Sequence, residues 1–315
     1  MIKKITYVVY IFFFFINYIF NKVTKKDFLA HFKEFIESNS YTKIKILNKN
    51  VKFFTPNEIT KWRINTFFSK EPETLDWINN FKKKNKIIFW DIGSNIGLYS
   101  IYAALKHKNI EIISFEPSTS NLRILSRNIS INKLENKIKI FQIPLGNKKN
   151  KFLKMKESAF IEGSALHSFG GNYNYKGKKF LSKNNYKIYG TTINYLLSQK
   201  ILDIPDYIKI DVDGIEHEIL KGANLYLKNL KIKSLLIELN KNFKKQFNTS
   251  TKVLSKNNFK LKNQINSTKS SFEDDEFSNT FNYIFKRWLL NNILNYKNWL
   301  SSKFLRSEER RVGKD

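Results

Sequence analysis

A nine-residue stretch, 89–97, constrains the fold of this chain more than any other feature. It reads Phe-Trp-Asp-Ile-Gly-Ser-Asn-Ile-Gly, and apolar residues then recur at helical spacing over 98–105. The pattern predicts a buried strand, a glycine loop and a helix N-terminus. Gly93 and Gly97 let the backbone bend sharply and approach a ligand closely, and unpaired N–H groups at a helix start point into the same space.

A carboxylate follows at the end of the next predicted strand. The apolar residues of 110–115 lead to Glu116, about twenty residues beyond the glycines, where doubly wound folds hold a ribose. NAD, FAD and S-adenosylmethionine all carry a ribose, but the dinucleotide fingerprint requires a third glycine. This chain has Gly93-x-x-x-Gly97 preceded by Asp91, which resembles motif I of class I methyltransferases.

The order of several further motifs resembles the FkbM family of S-adenosylmethionine-dependent methyltransferases. The resemblance spans about residues 65–287, and no single motif carries it. In chain order the motifs are DIGSNIG at 91–97, FEP at 115–117, KIDVDGIE at 209–216, LKGA at 220–223, LIE at 236–238 and NYIF at 282–285. Asn194 occupies a position where the family commonly has Asp. Any role that the family's carboxylate has at this position is therefore in doubt for this chain.

The resemblance implies an α/β fold of the Rossmann-like class I methyltransferase type, with a mostly parallel seven-stranded sheet and helices on both faces. Strand and helix patterns alternate from residue 87 onward, as expected for a parallel sheet with crossover helices. Residues 259–261 and 283–285 are candidates for the closing antiparallel pair. The expected organisation is an apolar or membrane-anchor helix at 1–26, a helical cap at 27–86, the methyltransferase domain at 87–290 and a tail at 291–315.

Two segments differ in composition from the rest. Residues 146–190 are rich in lysine, asparagine, serine and glycine, and a loop of this length is typical of a lid, a binding loop or a disordered segment. Within it, residues 163–168 either fold over the cofactor or belong to a surface excursion with short hairpin strands. Residues 306–315 resemble translated sequencing-adapter sequence and differ from the rest of the chain, where arginine is scarce, so the sequence predicts that they are not part of the native fold.

The composition narrows the classes of function. The formal net charge is +29, but the lysines are spread along the chain with asparagine, isoleucine and phenylalanine, and no nucleic-acid module is recognisable. A solvated lysine surface is therefore favoured over a nucleic-acid groove, and an anionic polymer or a membrane surface stays compatible with the charge. The absence of cysteine excludes disulfides, thiolate nucleophiles and cysteine-ligated metals.

The N-terminal segment is nearly all apolar. Residues 5–20 are interrupted by Thr6 and Asn17 and flanked by Lys3, Lys4, Lys22, Lys25 and Lys26. At about 1.5 Å per residue this run covers roughly 24 Å, less than the roughly 30 Å hydrocarbon core of a bilayer. We expect attachment to the cytoplasmic face of a membrane, with a span and an in-membrane location both open. The alternative is a helix packed on a cytoplasmic domain.

The motifs identify candidate cofactor-binding residues for S-adenosylmethionine. They are Asp91, Gly93, Asn95, Gly97, Glu116 and Asp211. Residues 70–74 also resemble the family's lead-in to the first strand. Glu73 in this lead-in either closes one side of the cofactor pocket or serves as a helix-start carboxylate that the macrodipole favours.

Methyl transfer from a sulfonium chiefly needs proximity, alignment and a dry site. A sugar hydroxyl is a poor nucleophile at neutral pH, so a general base within hydrogen-bond reach would help. The candidate catalytic residues, Asp211, Asp213 and His217, follow the fourth predicted strand, and ligands of open α/β sheets lie beyond such strand ends.

Each of these candidates also has a purely structural interpretation. Asp211 orients the methionine end of the cofactor or caps a turn, Glu216 stabilises a helix start, and His217 is an ordinary exposed helix histidine. A magnesium ion held by Asp211, Asp213 and Glu238 is conceivable because carboxylates suit Mg²⁺. A metal-free base is the preferred interpretation.

The resulting hypothesis is an S-adenosylmethionine-dependent O-methyltransferase that acts on a sugar hydroxyl of a glycan or glycoconjugate. The sugar class depends on the family resemblance and on the expected membrane anchor. The alternatives are an RNA or protein methyltransferase, which the charge supports, and a noncatalytic membrane-associated ligand-binding scaffold. The expected partners are a small-molecule or glycan acceptor and the membrane, with nucleic acid disfavoured.

Overall fold

The structure is a computed structural model that describes residues 1–82, 86–266 and 279–288. The expected tail at 291–315 lies outside these residues. The described helices are α1 (Ile2–Thr24), α2 (Phe28–Asn39), α3 (Glu58–Asn65), α4 (Phe67–Lys70), α5 (Pro72–Asn79), α6 (Leu98–Lys106), α7 (Thr119–Ile131), α8 (Ile193–Ser198), α9 (Glu216–Lys221) and α10 (Lys244–Lys256). The described strands are β1 (Tyr41–Ile46), β2 (Lys49–Phe54), β3 (Ile87–Ile92), β4 (Ile110–Phe115), β5 (Ile138–Phe141), β6 (Lys151–Glu157), β7 (Ser168–Phe169), β8 (Asn184–Gly190), β9 (Tyr207–Ile210), β10 (Ser234–Asn240), β11 (Phe259–Asn266) and β12 (Thr280–Arg287).

A seven-stranded sheet forms the centre of the molecule, in the order β11-β12-β10-β9-β3-β4-β5. β12 runs antiparallel to both of its neighbours, and the pairs from β10 to β5 are parallel. All six residues of β3 are buried, and a strand covered on both faces reads as a continuous apolar run. The expected mostly parallel sheet with a closing antiparallel pair is confirmed.

Helices cover both faces of this sheet, and each face has its own hydrophobic core. Phe89 packs into a core with residues of α3 to α7 and β2. Trp90, the next residue along β3, packs into the opposite core with residues of α8, α9 and α10. Successive side chains of a strand point to opposite faces, so the unbroken apolar run in β3 supplies both cores.

The cap between residues 27 and 86 is not entirely helical, and this part of the expectation is wrong. β1 and β2 form an antiparallel hairpin in which Ile46 pairs with Lys49. Leu47 and Asn48 make the turn, with φ of 48° and 63°, the left-handed conformations that two-residue hairpin loops require. Asn tolerates this conformation well. The sequence pattern of the hairpin is short, and it lies between two stretches with helical spacing of apolar residues, so the sequence analysis did not detect it.

The segment 146–190 is folded over part of its length. β6 pairs with β8 from Lys151 opposite Gly190 to Glu157 opposite Asn184, and β7 joins the other edge of β6. This small sheet carries the 163–168 loop between β6 and β7. It holds that loop near the carboxyl ends of β3, β4 and β9.

The N-terminal segment forms a hairpin of two helices, α1 and α2. Among the described residues, α1 is a helix long and apolar enough to cross a membrane, judged by length and composition. It has 23 residues, about 34 Å at about 1.5 Å per residue, and is therefore longer than the apolar run 5–20. Its side chains are exposed except for the partly buried Phe13 and Asn17, which lie near α2.

Candidate active site

The loop after β3 turns sharply because three of its residues adopt left-handed backbone conformations. The φ angle is 85° at Gly93, 49° at Asn95 and 88° at Gly97. A Cβ on Gly93 would lie 1.8 Å from the carbonyl oxygen of Asp211, and one on Gly97 would lie 2.6 Å from Leu125 Cδ1. Packing against a backbone oxygen therefore requires Gly93, whereas Gly97 is favoured chiefly by its left-handed backbone, because Leu125 Cδ1 is the movable end of a side chain.

Glu116 ends β4 and fastens two neighbouring loops together. Its Oε2 accepts the backbone N–H of Asn95 at 2.8 Å, and its Oε1 accepts the N–H of Ser118 at 2.9 Å. The side chain is buried, and burial raises its pKa to about 8 despite these hydrogen bonds. Hydroxyl donors brought to this carboxylate would favour its ionised form.

Two cavities lie beyond the carboxyl ends of the parallel strands. The smaller, about 70 Å³, has Glu116 on one side and mostly apolar walls elsewhere. The larger, about 420 Å³, lies between the strand ends and the cap. Both cavities are lined by Gly93, Asn95, Ala165, Asp211 and Asp213. The glycine loop and the loop after β9 therefore separate two adjoining spaces.

The two aspartates after β9 occupy different electrostatic environments. Lys209, 1 % exposed, places its Nζ 2.6 Å from Asp211 Oδ2, and this ammonium lowers the pKa of Asp211 although burial opposes the shift. Burial, together with the charge of Asp211, raises the pKa of Asp213 to about 6. The pair thus contains one carboxylate held ionised and one that exchanges a proton near neutral pH.

Glu216 and His217 serve the loop and the interior. Glu216 is fully buried and accepts the backbone N–H groups of Val212 and Gly214 at 3.1 Å, so it fixes the shape of the loop that carries Asp213. His217 is also fully buried, with its ring 5.6 Å from that of Phe243. It lines neither cavity. The prediction of His217 as a catalytic residue is therefore not supported by its position, and its alternative as an exposed helix histidine is wrong, because the ring is buried in the core.

The family described as "Methyltransferase FkbM domain" matches residues 91–261, which is more than half of the chain. This chain belongs to the FkbM methyltransferase family. The family supports S-adenosylmethionine-dependent methyl transfer on a class I fold, in preference to the alternative of a noncatalytic scaffold.

Individual relatives of this FkbM methyltransferase are distant. Methyltransferase sdnD of Sordaria araneosa is 26% identical over 153 residues, which cover 42% of this chain and 59% of that protein. A precorrin-6y C5,15-methyltransferase structure from Geobacter metallireducens has a TM-score of 0.41 and 14% identity, covering 69% of this chain and 86% of its own. An rRNA methylase structure from Streptococcus thermophilus has a TM-score of 0.41 and 11% identity, covering 69% and 95%.

The residues that line the smaller cavity of the FkbM methyltransferase match the chemistry of the nucleoside part of S-adenosylmethionine, although the walls must move apart to admit that group into a space of about 70 Å³. Its walls include Phe115, Pro117 and Leu145, which would contact a purine ring, and Glu116 would accept the ribose hydroxyls. Two other residues that line this cavity carry buried polar atoms without a hydrogen-bond partner, namely Asn95 Oδ1 and Ser168 Oγ. Unpaired buried polar atoms are costly, so they indicate that a polar ligand completes the site.

Four of the six expected cofactor residues line a cavity, namely Gly93, Asn95, Glu116 and Asp211. Gly97 instead packs against Leu125, as described above. Asp91 is completely buried behind the loop, where it accepts the Ser100 hydroxyl at 2.6 Å, and burial raises its pKa. Asp91 therefore acts on the shape of the loop from within the protein.

The cap contributes residues that the sequence reasoning missed. Glu71, only 5 % exposed, lines the larger cavity, whereas Glu73 lies outside both cavities and accepts Asn282 Nδ2 at 2.8 Å. Tyr99, which belongs to α6 and not to the cap, also lines the larger cavity. Burial and then the charge of Glu71 raise its pKa well above the usual value. Glu71 immediately precedes Pro72, the first residue of α5, and this position at a helix start was the sequence feature that could have identified Glu71 as a site residue.

The 163–168 loop lies against both cavities. Its backbone hydrogen bonds include four to side chains of neighbouring segments. Asn95 Nδ2 donates to Ser164 O at 2.8 Å, Arg63 Nε donates to Gly163 O at 2.6 Å, Gly163 N donates to Asn121 Oδ1 at 2.9 Å, and Leu166 N donates to Asp213 Oδ2 at 2.7 Å. The loop thus bridges the glycine loop, the cap and the loop after β9. A segment tied at these points forms part of the wall of both cavities.

Asp211, Asp213 and Glu238 form an acidic group in the larger cavity. One carboxylate oxygen from each lies within 4.8 Å of those from the other two. Burial and the charges of Asp211 and Asp213 raise the pKa of Glu238 well above its usual value. The same side chains offer oxygen ligands to a divalent cation, but the ammonium of Lys209 already neutralises Asp211.

We expect cofactor affinity to depend on the ionisation of Glu116. Without a bound cofactor, the Glu116 carboxyl group has a pKa of about 8. Ribose hydroxyls favour its ionised form, so cofactor binding lowers that pKa and releases a proton. Affinity for S-adenosylhomocysteine should rise as pH increases towards about 8 and level off above it. Calorimetry across this range measures the effect.

Glu116→Gln provides the control for this dependence. It should weaken binding by about 1 to 3 kcal/mol, because charge-assisted hydrogen bonds to the ribose are lost, and it should flatten the pH dependence. A wild-type affinity that stays constant with pH would contradict the assignment of Glu116 to the ribose.

Proposed function

We propose that this FkbM methyltransferase methylates a hydroxyl group of a sugar, with Asp213 as the general base. The observation that carries the proposal is the position of Asp213, which lines both cavities. A residue shared by the cofactor cavity and the larger cavity lies where the methyl donor and the acceptor would meet. The larger cavity is then the acceptor site.

The environment of Asp213 suits proton transfer near neutral pH. A hydroxyl group holds its proton strongly, so an effective base combines ionisation at working pH with a pKa close to it. The pKa of about 6 meets both conditions. Asp213 would take the proton of the acceptor hydroxyl as the hydroxyl oxygen bonds to the methyl carbon. S-adenosylmethionine, when bound, would supply that methyl group, and its S–CH₃ bond would break to leave S-adenosylhomocysteine.

The walls of the larger cavity support a sugar as the acceptor. Besides Asp213, carboxyl groups from three separate parts of the chain line it: Glu71, Asp211 and Glu238. The oxygens of carboxyl groups accept hydrogen bonds and match the several hydroxyl donors of a sugar. The indole of Trp62 and the ring of Tyr99 add flat apolar surfaces, against which the C–H face of a sugar ring packs.

An RNA acceptor is the second candidate. Arg63 and Lys70 also line the larger cavity, and the net charge of +29 would attract a phosphate backbone. The carboxyl groups that line the cavity offer hydrogen-bond acceptors, whereas a phosphate needs donors, and this favours the sugar. A protein acceptor has no specific support among the described contacts.

The acceptor class is measured directly with methyl-labelled S-adenosylmethionine. Separate pools of sugar nucleotides, glycans, RNA and protein are incubated with the enzyme, and transferred label is counted. We expect label in a sugar-containing pool. Label in RNA alone would replace the sugar proposal with the second candidate and would leave the methyltransferase activity intact.

We expect methyl transfer to proceed without a divalent cation. Treatment with a chelator should leave the rate unchanged, because Lys209 already balances the charge of Asp211. If the chelator abolishes activity and Mg²⁺ restores it, the acidic group of Asp211, Asp213 and Glu238 is a metal site. Glu238→Gln should then weaken the response to Mg²⁺.

A further inference from the structure

The α1–α2 hairpin is built by specific contacts. Asn17, within the apolar run of α1, accepts the backbone N–H groups of Phe28 and Leu29 at 2.8 and 3.1 Å. Lys25, with φ of 59°, ends α1 in a left-handed conformation. Asp27 caps α2 by accepting the N–H of Ala30 at 3.2 Å. The polar residues near the turn therefore specify that the chain folds back along α1.

The aromatic contacts show where α2 lies along α1. The rings of Phe13 and Phe32 stack at 5.4 Å, and those of Phe20 and Phe28 lie 6.3 Å apart. Phe13 is the central residue of α1, which runs from Ile2 to Thr24. The middle of α2 therefore lies beside the middle of α1.

This packing is incompatible with a membrane-spanning α1. If α1 crossed a bilayer, Phe13 would lie near the centre and would bring Phe32 with it. The neighbours of Phe32, His31 and Lys33, are exposed, and ionisable groups facing lipid at that depth are strongly disfavoured. β1 begins at Tyr41, soon after α2 ends, so polar parts of the folded body would also enter the hydrocarbon.

Exposure of α1 to water is equally unfavourable. Its exposed side chains include Phe12 at 60%, Phe15 at 60% and Tyr7 at 63% exposure. A continuous exposed surface of large apolar side chains marks an interaction site. Lysines flank the apolar stretch at both ends, with Lys3 and Lys4 before it and Lys22, Lys25 and Lys26 after it. Their charge complements anionic headgroups on one membrane surface.

We propose that the α1–α2 hairpin inserts into one leaflet of an anionic bilayer without crossing it. α1 lies among the acyl chains near the interface, and α2 covers it with Phe28 and Phe32 inward and its polar side towards the headgroups. The lysines at both ends of α1 reach the same surface. The catalytic body remains on that side, close to acceptors held in the membrane.

The test uses the absence of cysteine from the chain. A double variant, Lys3→Cys with Ser198→Cys, places one thiol at the start of α1 and one on the exposed surface of the body. The full-length protein is reconstituted from detergent into vesicles of phosphatidylcholine and phosphatidylglycerol, which yields both orientations. A membrane-impermeant maleimide is added, and intact mass spectrometry counts the labels on each molecule.

The proposal expects molecules with two labels or none, because both thiols lie on the same side of the bilayer. Molecules with one label each, becoming doubly labelled only after detergent is added, would show that α1 crosses and would overturn it. Labelling of each single variant in detergent confirms that both thiols react.

Vesicle sedimentation tests the lipid itself. We expect the wild-type protein to sediment with vesicles containing phosphatidylglycerol, to bind phosphatidylcholine vesicles less tightly, and to resist extraction by high salt. Release by salt alone would indicate surface adhesion through lysines and would contradict insertion. If the protein does not bind vesicles and forms dimers through α1 in solution, a second copy covers the helix, and this result would also overturn the proposal.

Discussion

Replacing Asp213 with Asn is expected to lower the turnover number by about 10² to 10⁴, the range for loss of a general base, while the affinity for S-adenosylhomocysteine stays nearly unchanged. Asn has the same shape and, like Asp, tolerates the φ of 60° found at this position. Its amide oxygen is still able to accept the N–H of Leu166, so the 163–168 loop should remain in place. Steady-state kinetics and calorimetry separate the two effects.

The pH profile identifies the group that titrates. The wild-type rate should rise as pH increases through about 6, because the pKa of Asp213 lies there and the ionised form accepts the proton. This limb should be missing from the residual activity of Asp213→Asn. His217→Gln should retain it, since His217 lies outside both cavities.

Asp203→Asn is the matched control, because it removes a carboxylate from an exposed position. Its turnover number should equal that of the wild type. Full activity in Asp213→Asn would remove Asp213 from catalysis. A loss of the limb in His217→Gln would instead make the buried histidine the titrating group.

Gly93→Ala is expected to lower the free energy of unfolding by about 4 kcal/mol, combining left-handed backbone strain with overpacking. The added methyl group would meet the carbonyl oxygen of Asp211 at 1.8 Å, a backbone atom that moves only if β9 moves. The melting temperature should fall by roughly 8 to 16 °C at 2 to 4 °C per kcal/mol. Cofactor binding should be lost as well, because the displaced loop carries Asn95.

Gly146→Ala controls for the loss of a glycine. Its φ lies outside the positive region, and an added Cβ would come no closer than 3.8 Å to Phe169. We expect a melting temperature within a few degrees of the wild type, measured by calorimetry or circular dichroism. Equal destabilisation by the two substitutions would contradict the close approach of the glycine loop to β9.

Two parts of the fold show how far sequence patterns reach. The apolar run of β3 and the helical spacing of α6 are local signals, and both elements lie where the sequence predicted them. The β1–β2 hairpin was missed because its turn residues, Leu47 and Asn48, are a weak signal between stretches with helical spacing. Its pairing becomes favourable when β2 packs its buried phenylalanines into the core beside α7.

The amino-acid sequence by itself determined the family, the cofactor and the strand-end motifs, because glycine spacing and apolar runs are properties of neighbouring residues. Only the tertiary structure decided which motif residues reach the cavities. It turned Glu71 towards the larger cavity and Glu73 away from it, and it buried Asp91 and His217. It also set the two aspartates apart, because the ammonium of Lys209 reaches Asp211 and leaves Asp213 with a pKa near neutrality. Burial and charge at a site depend on every element packed around it, and sequence spacing does not record them.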